Sequence, residues 1–266
     1  MMLEIPKLPD STILLVEVGS TAHGTGLPGG EDRDETGVVV ESTEQVLGIG
    51  PKLRNVMQRT QPEGSRSGPG DVDRTLYSLR KFLRLCYNGN PSMLMSLWSP
   101  VIEITPEGTE LREAAAAFVG RHVIPRYRGY MQGQALKLLG LKGGGGHGRR
   151  GGGGREELIQ EHGFDTKYAM HCARLGFQCR ELLTTGRLTL PIEHDYADWL
   201  RELRSGRVSF NEWWETVLEL DATLEAMESD ESLPIGPDRG AIESLSVNIH
   251  LSIWDSQEVR RTTSTG

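Results

Sequence analysis

Two aspartates, Asp32 and Asp34, stand at the start of an apolar run in the segment VGSTAHGTGLPGGEDRDETGVVV, residues 18–40. Residues i and i+2 of a strand point to the same side, so this spacing presents two carboxylates on one face. Two adjacent carboxylates raise each other's pKa unless a cation lies between them. Mg²⁺, which binds carboxylates, waters and substrate phosphates, suits such a pair, and Mn²⁺ could replace it. The spacing therefore predicts a metal site, with a pair of surface-turn carboxylates as the alternative.

Gly19 and Ser20 end the strand before the aspartates and could bind a nucleotide's phosphates through backbone N–H groups and a hydroxyl. A P-loop is excluded, although Gly19 and Gly24 have its G-x-x-x-x-G spacing. Thr25 and Gly26 stand where that motif requires Lys and then Ser or Thr, so no lysine would reach the outer phosphates. The glycines are therefore expected to let the chain turn sharply from strand to strand while Gly19 and Ser20 face a triphosphate.

Apolar runs around these residues predict the elements that position them. Strands are expected at 13–18, 36–41 and 71–79, with a loop at 61–71 and a helix at 80–87. This order predicts an α+β fold in which a small mixed β-sheet is backed by helices.

The pattern becomes helical from Pro106 onward, with Gly or Pro between the helical segments. We therefore expect an α/β domain over 1–104, an all-helical domain over 105–255 and a flexible tail at 256–266. The glycine-rich segment 142–154 lies inside the helical half and is expected to be disordered. It is either a linker between helices or a mobile lid that closes two arginines, Arg149 and Arg150, on phosphates.

Charge is distributed unevenly along the chain. The 266 residues carry a net charge of −8, but residues 121–187 hold twelve Lys or Arg against five acids. Such a basic segment suits an anionic ligand, either a triphosphate or RNA or another nucleic acid, with a solvated basic face as the alternative. The three cysteines, none in a C-x-x-C arrangement, are expected to be core thiols in a reducing compartment. With no leader-like or membrane-spanning run, the sequence predicts a cytoplasmic protein and no membrane partner.

The stretch GSTAHGT…EDRDETGVVV resembles the G-S…D-x-D signature of the DNA polymerase β-like nucleotidyltransferase superfamily. The segments 71–98 and 162–191 resemble a bacterial and phage branch described as predicted nucleotidyltransferases. These blocks cover somewhat less than a third of the chain and fall in both expected domains. One departure is Glu31, which stands where the superfamily commonly has Ser before the D-x-D.

The resemblance implies a two-metal site completed by a third carboxylate on a neighbouring strand. Asp32 and Asp34 match the paired carboxylates, and the segment DVDRTLY should supply the third. Asp73 is favoured because it lies on the strand itself, and Asp71 is the alternative. The implied roles of Asp73 are metal ligand and, directly or through the metal, general base for an acceptor hydroxyl.

A second set of candidate residues lies on a helix that Asp165 is expected to cap at its N-terminus. At 100° per residue, four polar side chains fall within about 60° of one another, opposite the apolar face. Such a row could bind phosphates and ribose, and the resemblance implies that this helix closes over the nucleotide. The alternative is a solvated amphipathic face. The four predicted nucleotide-binding residues are Lys167, His171, Arg174 and Gln178.

These features predict a metal-dependent nucleotidyltransferase that transfers NMP from an NTP to an acceptor hydroxyl and releases pyrophosphate. RNA, protein and small-molecule acceptors all stay open, as does the base of the NTP. The alternatives are a non-catalytic nucleotide-binding protein and a regulatory protein that docks nucleic acid through residues 121–187.

Overall fold

A computed structural model of the protein describes residues 5–25, 33–61, 70–141, 156–193 and 196–263. Within these ranges the chain forms a five-stranded sheet followed by a predominantly helical part, so the predicted α+β class is confirmed. The strands are β1 (Thr12–Val18), β2 (Arg33–Val39), β3 (Asn55–Arg59), β4 (Val72–Ser78) and β5 (Val101–Ile104). The helices are α1 (Gly19–His23), α2 (Thr43–Leu47), α3 (Leu79–Tyr87), α4 (Pro91–Ser96), α5 (Pro106–Glu113), α6 (Ile124–Leu138), α7 (Glu156–His162), α8 (Thr166–Thr185), α9 (Tyr196–Arg204), α10 (Phe210–Glu228) and α11 (Arg239–Thr263), with 3₁₀ turns at Ala114–Phe118 and Arg121–Val123.

The sheet is mixed and has the order β3-β4-β2-β1-β5. β2 and β4 run parallel to each other, and the remaining neighbours are antiparallel. The parallel pair lies at the centre of the sheet, and its register places Asp34 beside Asp73. Because in-register residues of parallel strands point to the same side, these two aspartates share one face, which we call the site face.

The opposite face, which we call the back face, is fixed beneath them by a buried ion pair. Glu35 accepts a 2.7 Å hydrogen bond from Nε of Arg74, and Arg33 lies 2.8 Å from the same carboxylate. Arg74 also donates to the carbonyl of Pro6 and to Gln58. Breaking such a pair strands a buried charge, so the pair strongly favours the one register in which Asp34 and Asp73 are neighbours.

Helix α8 is the centre of the helical part and packs against α6, α9 and α10. Asp165 caps its N-terminus by accepting hydrogen bonds from the backbone N–H groups of Lys167 and Tyr168, both at 3.0 Å, as the sequence predicted. Gly176 lets the neighbouring helices approach closely, because a Cβ there would lie 2.9 Å from Leu220 and 3.0 Å from Met131. The position of α8 is therefore set by apolar packing on its far side.

The last helix returns to the N-terminal part of the chain. α11 packs against α3, α5 and residues 114–118. Nε1 of Trp254 donates a 2.8 Å hydrogen bond to the carbonyl of Glu41, and Ser252 donates to Glu107 at 2.7 Å. One continuous apolar core joins β1, α3, α6, α8, α10 and α11.

Several element bounds differ from the sequence-based expectation. The second strand begins at Arg33, three residues earlier than predicted, and so includes Asp34. The short helix α1 follows β1 directly where only a turn was expected. α11 continues to Thr263, past the expected start of the tail at residue 256, and the flexibility of the tail stays a prediction. The division of the chain at 104/105 stays a prediction, and segment 142–154 lies outside the described residues.

Two global expectations can be compared with the structure. All three cysteines are buried and free, as expected for core thiols, and burial raises their pKa values, that of Cys172 to about 12. Across the described helices, none combines the length and the apolar character that crossing a bilayer requires.

Candidate active site

The turn from β1 into α1 brings the backbone against Asp34. Gly19 has φ +77°, a left-handed conformation that side chains disfavour. A Cβ at this position would lie 2.6 Å from Oδ2 of Asp34. Glycine is therefore required twice over, and its absent side chain leaves room for the carboxylate. Ser20, the other predicted phosphate-binding residue, follows Gly19 in the first turn of α1.

Asp34 and Asp73 are direct neighbours across the parallel pair of strands. Adjacent strands lie about 4.8 Å apart, which brings both carboxylates within reach of one small ligand. Asp71 precedes β4, where its backbone carbonyl accepts from Arg33 N–H and its carboxylate accepts from the Thr60 hydroxyl at 3.2 Å. Of the two alternatives for a third carboxylate, the register places Asp73 beside Asp34.

Asp73 is held by the adjacent edge strand. Arg59 on β3 donates to both of its oxygens, at 2.5 Å from Nε and 3.2 Å from Nη2. Gln61 adds a third hydrogen bond at 2.8 Å. The hydrogen bond with Asp73 raises the pKa of the Arg59 guanidinium. This side chain is therefore oriented, and a metal ion would have to share it with Arg59.

The predicted polar row of α8 faces α1 over its central part. Nε2 of Gln178 lies 3.4 Å from Nδ1 of His23, and both side chains are buried. Nη2 of Arg174 donates to Nδ1 of His171 at 3.1 Å, since a guanidinium has no acceptor. Burial first, and then the charges of Arg174 and His171, hold the pKa of His23 well below its usual value. The sheet end and α8 therefore meet through α1, with neutral His23 between them.

Arg174 is a cation with unused donor capacity at this junction. Within the described part of the chain its Nε is buried and has no hydrogen-bond partner, and the same holds for the hydroxyl of Tyr127. Burial lowers the pKa of Arg174 to about 10. A buried guanidinium that lacks a carboxylate partner favours an anionic ligand.

A divalent metal fits the donor chemistry of Asp34 and Asp73, because carboxylate oxygens are the ligands that Mg²⁺ prefers. Asp73 already accepts a cation, because Arg59 pairs with its carboxylate. The ranges that the structure describes contain no group of three or more His, Cys, Asp or Glu able to hold a metal. Asp32, the predicted partner of Asp34, lies outside these ranges, so the complete ligand set stays a prediction.

The remaining predicted residues are placed less closely together. Lys167 lies in the first turn of α8, about 17 Å along the helix axis from Gln178. Part of the basic segment 121–187 is neutralised within the protein, because Arg128 pairs with Asp221 at 2.7 Å and with Glu225 at 3.3 Å. Arg149 and Arg150 fall outside the described residues.

Three residues of the site escaped the sequence interpretation. Arg59 binds Asp73 from the edge strand β3, which is too polar and too exposed to show an alternating pattern, and Gln61 binds it from the bend that follows. His23 lies in the segment where only a turn was expected, and the αL glycine Gly24 that ends α1 is the signal that could have placed it in a helix.

Comparisons with known proteins agree with this architecture. Residues 6–254 match the family model RlaP, described as the RNA repair pathway DNA polymerase beta family. The fold and the site thus define a DNA polymerase β-like nucleotidyltransferase, which confirms the resemblance inferred from the sequence. More specifically, the chain belongs to the RNA repair pathway DNA polymerase beta family.

One solved structure that the chain resembles is the nucleotidyltransferase-like protein from Exiguobacterium sibiricum 255-15. It is 9% identical, the alignment covers 82% of this chain and 70% of that chain, and the TM-score is 0.29. A TM-score of this size supports no argument about the site. No curated protein matches the chain.

Proposed function

We propose that the protein is a Mg²⁺-dependent nucleotidyltransferase that transfers NMP from an NTP to a hydroxyl group of RNA and releases pyrophosphate. The observation that carries the proposal is the register of β2 and β4, which sets Asp34 beside Asp73 on the site face, next to the turn at Gly19. The family description, which refers to RNA repair, supports RNA over a protein or small-molecule acceptor.

Asp32, Asp34 and Asp73 would hold the metal ions, with Mn²⁺ as a substitute for Mg²⁺. When bound, these ions would neutralise the triphosphate and acidify the acceptor hydroxyl. Asp73 is oriented by Arg59 and Gln61 to accept the proton of that hydroxyl. The acceptor oxygen then forms a bond to the α-phosphorus. The bond from that phosphorus to the bridging oxygen breaks, and its electron pair leaves with pyrophosphate.

The residues of α1 and α8 would bind the triphosphate. Gly19 lies against Asp34, Ser20 follows it in α1, and Arg174 offers its buried, unpartnered Nε from α8. His171 accepts from Arg174 and so orients the guanidinium, while Gln178 holds α1 through His23. Lys167 would reach a more distant part of the nucleotide. The site therefore combines carboxylates that would bind the metal ions with a cation that would bind the triphosphate.

Asp34→Asn tests this proposal most simply, because it removes one ligand charge and keeps the shape. Wild type, incubated with each α-labelled NTP, Mg²⁺ or Mn²⁺ and an RNA fraction, should label the RNA. Asp34→Asn should lower that rate at least about 100-fold. Asp10→Asn, which changes an exposed carboxylate away from the site, is the matched control and should keep the wild-type rate.

Label that enters a protein or small-molecule fraction instead would contradict the RNA acceptor. No transfer by wild type under any condition, with nucleotide binding retained, would favour a non-catalytic nucleotide-binding protein.

A further inference from the structure

A basic surface extends from the site face along β4 and α3 to α6. The elements that form it lie in three acid-free stretches, 45–62, 74–102 and 114–155, although the chain has 37 Asp and Glu. These stretches are distant in sequence and the fold brings them together. We define the basic edge as Tyr77, Lys81, Arg84, Arg126 and Tyr130.

Lys81 and Tyr77 are in contact at one end of the basic edge. Nζ of Lys81 lies 5.1 Å above the ring of Tyr77 and donates to Asn55 at 2.6 Å. Arg84 lies one turn further along α3 and is exposed. Burial raises the pKa of Tyr77, and the nearby Tyr130 raises it further, so the two phenols are close.

The far end of the basic edge lies on α6. Tyr130 is 41% exposed, and its hydroxyl accepts a 3.1 Å hydrogen bond from Asn90. Arg126 precedes it by one helical turn and is also exposed. An aromatic ring and a cation thus recur together at each end of this surface.

The basic edge begins where the carboxylates end. Tyr77 is four residues beyond Asp73 on β4 and points to the same face, about 13 Å away along the strand. Exposed Met57 on β3 lies beside Thr75, between them. A chain whose terminal hydroxyl reaches Asp73 would therefore pass over Tyr77 and Lys81.

We propose that the basic edge binds the last few nucleotides of a single-stranded RNA acceptor, with its phosphates on Lys81, Arg84 and Arg126 and its bases against Tyr77 and Tyr130. The inference rests on the proposed function. Cations complement a phosphate backbone, and aromatic rings stack on unpaired bases of any sequence. This surface is separate from the basic segment 121–187 that the sequence indicated, apart from Arg126 and Tyr130.

Equilibrium binding of a single-stranded RNA of about ten nucleotides, labelled at its 5′ end, tests this surface by fluorescence anisotropy without NTP or metal. Lys81→Gln/Arg84→Gln should weaken binding at least about tenfold. It should also reduce the salt slope by about 1.4, since each lost phosphate contact accounts for about 0.7. Lys7→Gln/Arg187→Gln removes the same charge from exposed sites elsewhere and should change both quantities by less than a third as much.

A second comparison tests the stacking surface. Tyr130→Ala should weaken RNA binding at least about fivefold, whereas Tyr130→Phe, which keeps the ring, should stay within about twofold of wild type. Circular dichroism melting of every variant shows whether it is folded. The side chain of Tyr130 is exposed, so neither change should unfold the protein.

Three outcomes would overturn the proposal: equal losses in the two double variants, no RNA binding by folded wild type, or tighter binding of single-stranded DNA or of duplex RNA than of single-stranded RNA. The readout is independent of transfer. RNA binding through the basic edge without any transfer would instead defeat the proposed reaction and leave this surface intact.

Discussion

Gly19 is the residue on which the geometry at Asp34 depends. Its positive φ turns the chain from β1 into α1, and the space where a side chain would be is occupied by the Asp34 carboxylate. The effects of the positive φ and of the close carboxylate can be separated, because other glycines in this protein have a positive φ and no atom within 4 Å of the Cβ position.

Gly19→Ala is expected to abolish nucleotide transfer and weaken Mn²⁺ binding at least about tenfold, because the methyl group displaces Asp34. The left-handed backbone alone should cost about 1–2 kcal/mol of unfolding free energy. Transfer assays, Mn²⁺ titration and urea unfolding measure the three quantities.

Gly186→Ala is the matched control for this change. Gly186 has φ +73° at the end of α8, and a Cβ there would meet nothing within 4 Å. Gly186→Ala should lower the unfolding free energy by a similar amount and leave nucleotide transfer and Mn²⁺ binding unchanged. Equal losses of transfer in the two variants would show that strain alone is responsible.

Packing between helices determines the position of α8 relative to the candidate site. α6 and α10 approach it closely over Gly176, and this contact holds the row from His171 to Gln178 against α1. The polar side of the helix, which we propose binds the nucleotide, is thus positioned by its opposite, apolar side.

Gly176→Ala should therefore destabilise the protein by about 1–3 kcal/mol, because a Cβ would clash with Leu220 and Met131. Gly133→Ala, in the interior of α6 with nothing within 4 Å, should instead stabilise it by about 0.5–1 kcal/mol. Denaturant unfolding of both variants gives the comparison. Two changes of the same sign would contradict the packing assigned to α8.

The sequence predicts some of these strands and helices and misses others. β1, β4 and α3 follow from buried apolar spacing, and the structure has them within one or two residues. β3 and β5 could not be predicted, since they are short edge strands whose side chains are largely exposed. Their pairing partners, and not their own residues, make them strands.

The candidate site was predictable in type but not in arrangement. Asp34 and the row on α8 could be named from spacing alone, because both depend on local periodicity. The pairing of Asp34 with Asp73 depends on a parallel register that is held from the back face by Glu35 and Arg74. Such a long-range contact leaves no local pattern, and the same is true of the Arg59 bond to Asp73.

On the scale of the whole molecule, one apolar core connects the sheet, α8 and the returning helix α11. The carboxylates on the sheet and Arg174 on α8 therefore belong to a single packed body, and α1 joins the two parts through the contact between His23 and Gln178. In the proposed function, a metal–triphosphate complex would lie between these carboxylates and Arg174. The basic edge would lead an RNA acceptor to Asp73.

The pairing of Asp34 with Asp73 is tested most directly by comparing Asp73→Asn with Asp71→Asn, because the two residues differ in register and not in chemistry. Transfer of label from an α-labelled NTP to RNA is measured for both variants beside wild type, after melting curves confirm that each is folded. We expect the transfer rate to fall at least about 100-fold in Asp73→Asn and less than about threefold in Asp71→Asn. Full activity of Asp73→Asn, or the larger loss in Asp71→Asn, would contradict the assignment of Asp34 and Asp73 as the catalytic pair on the site face.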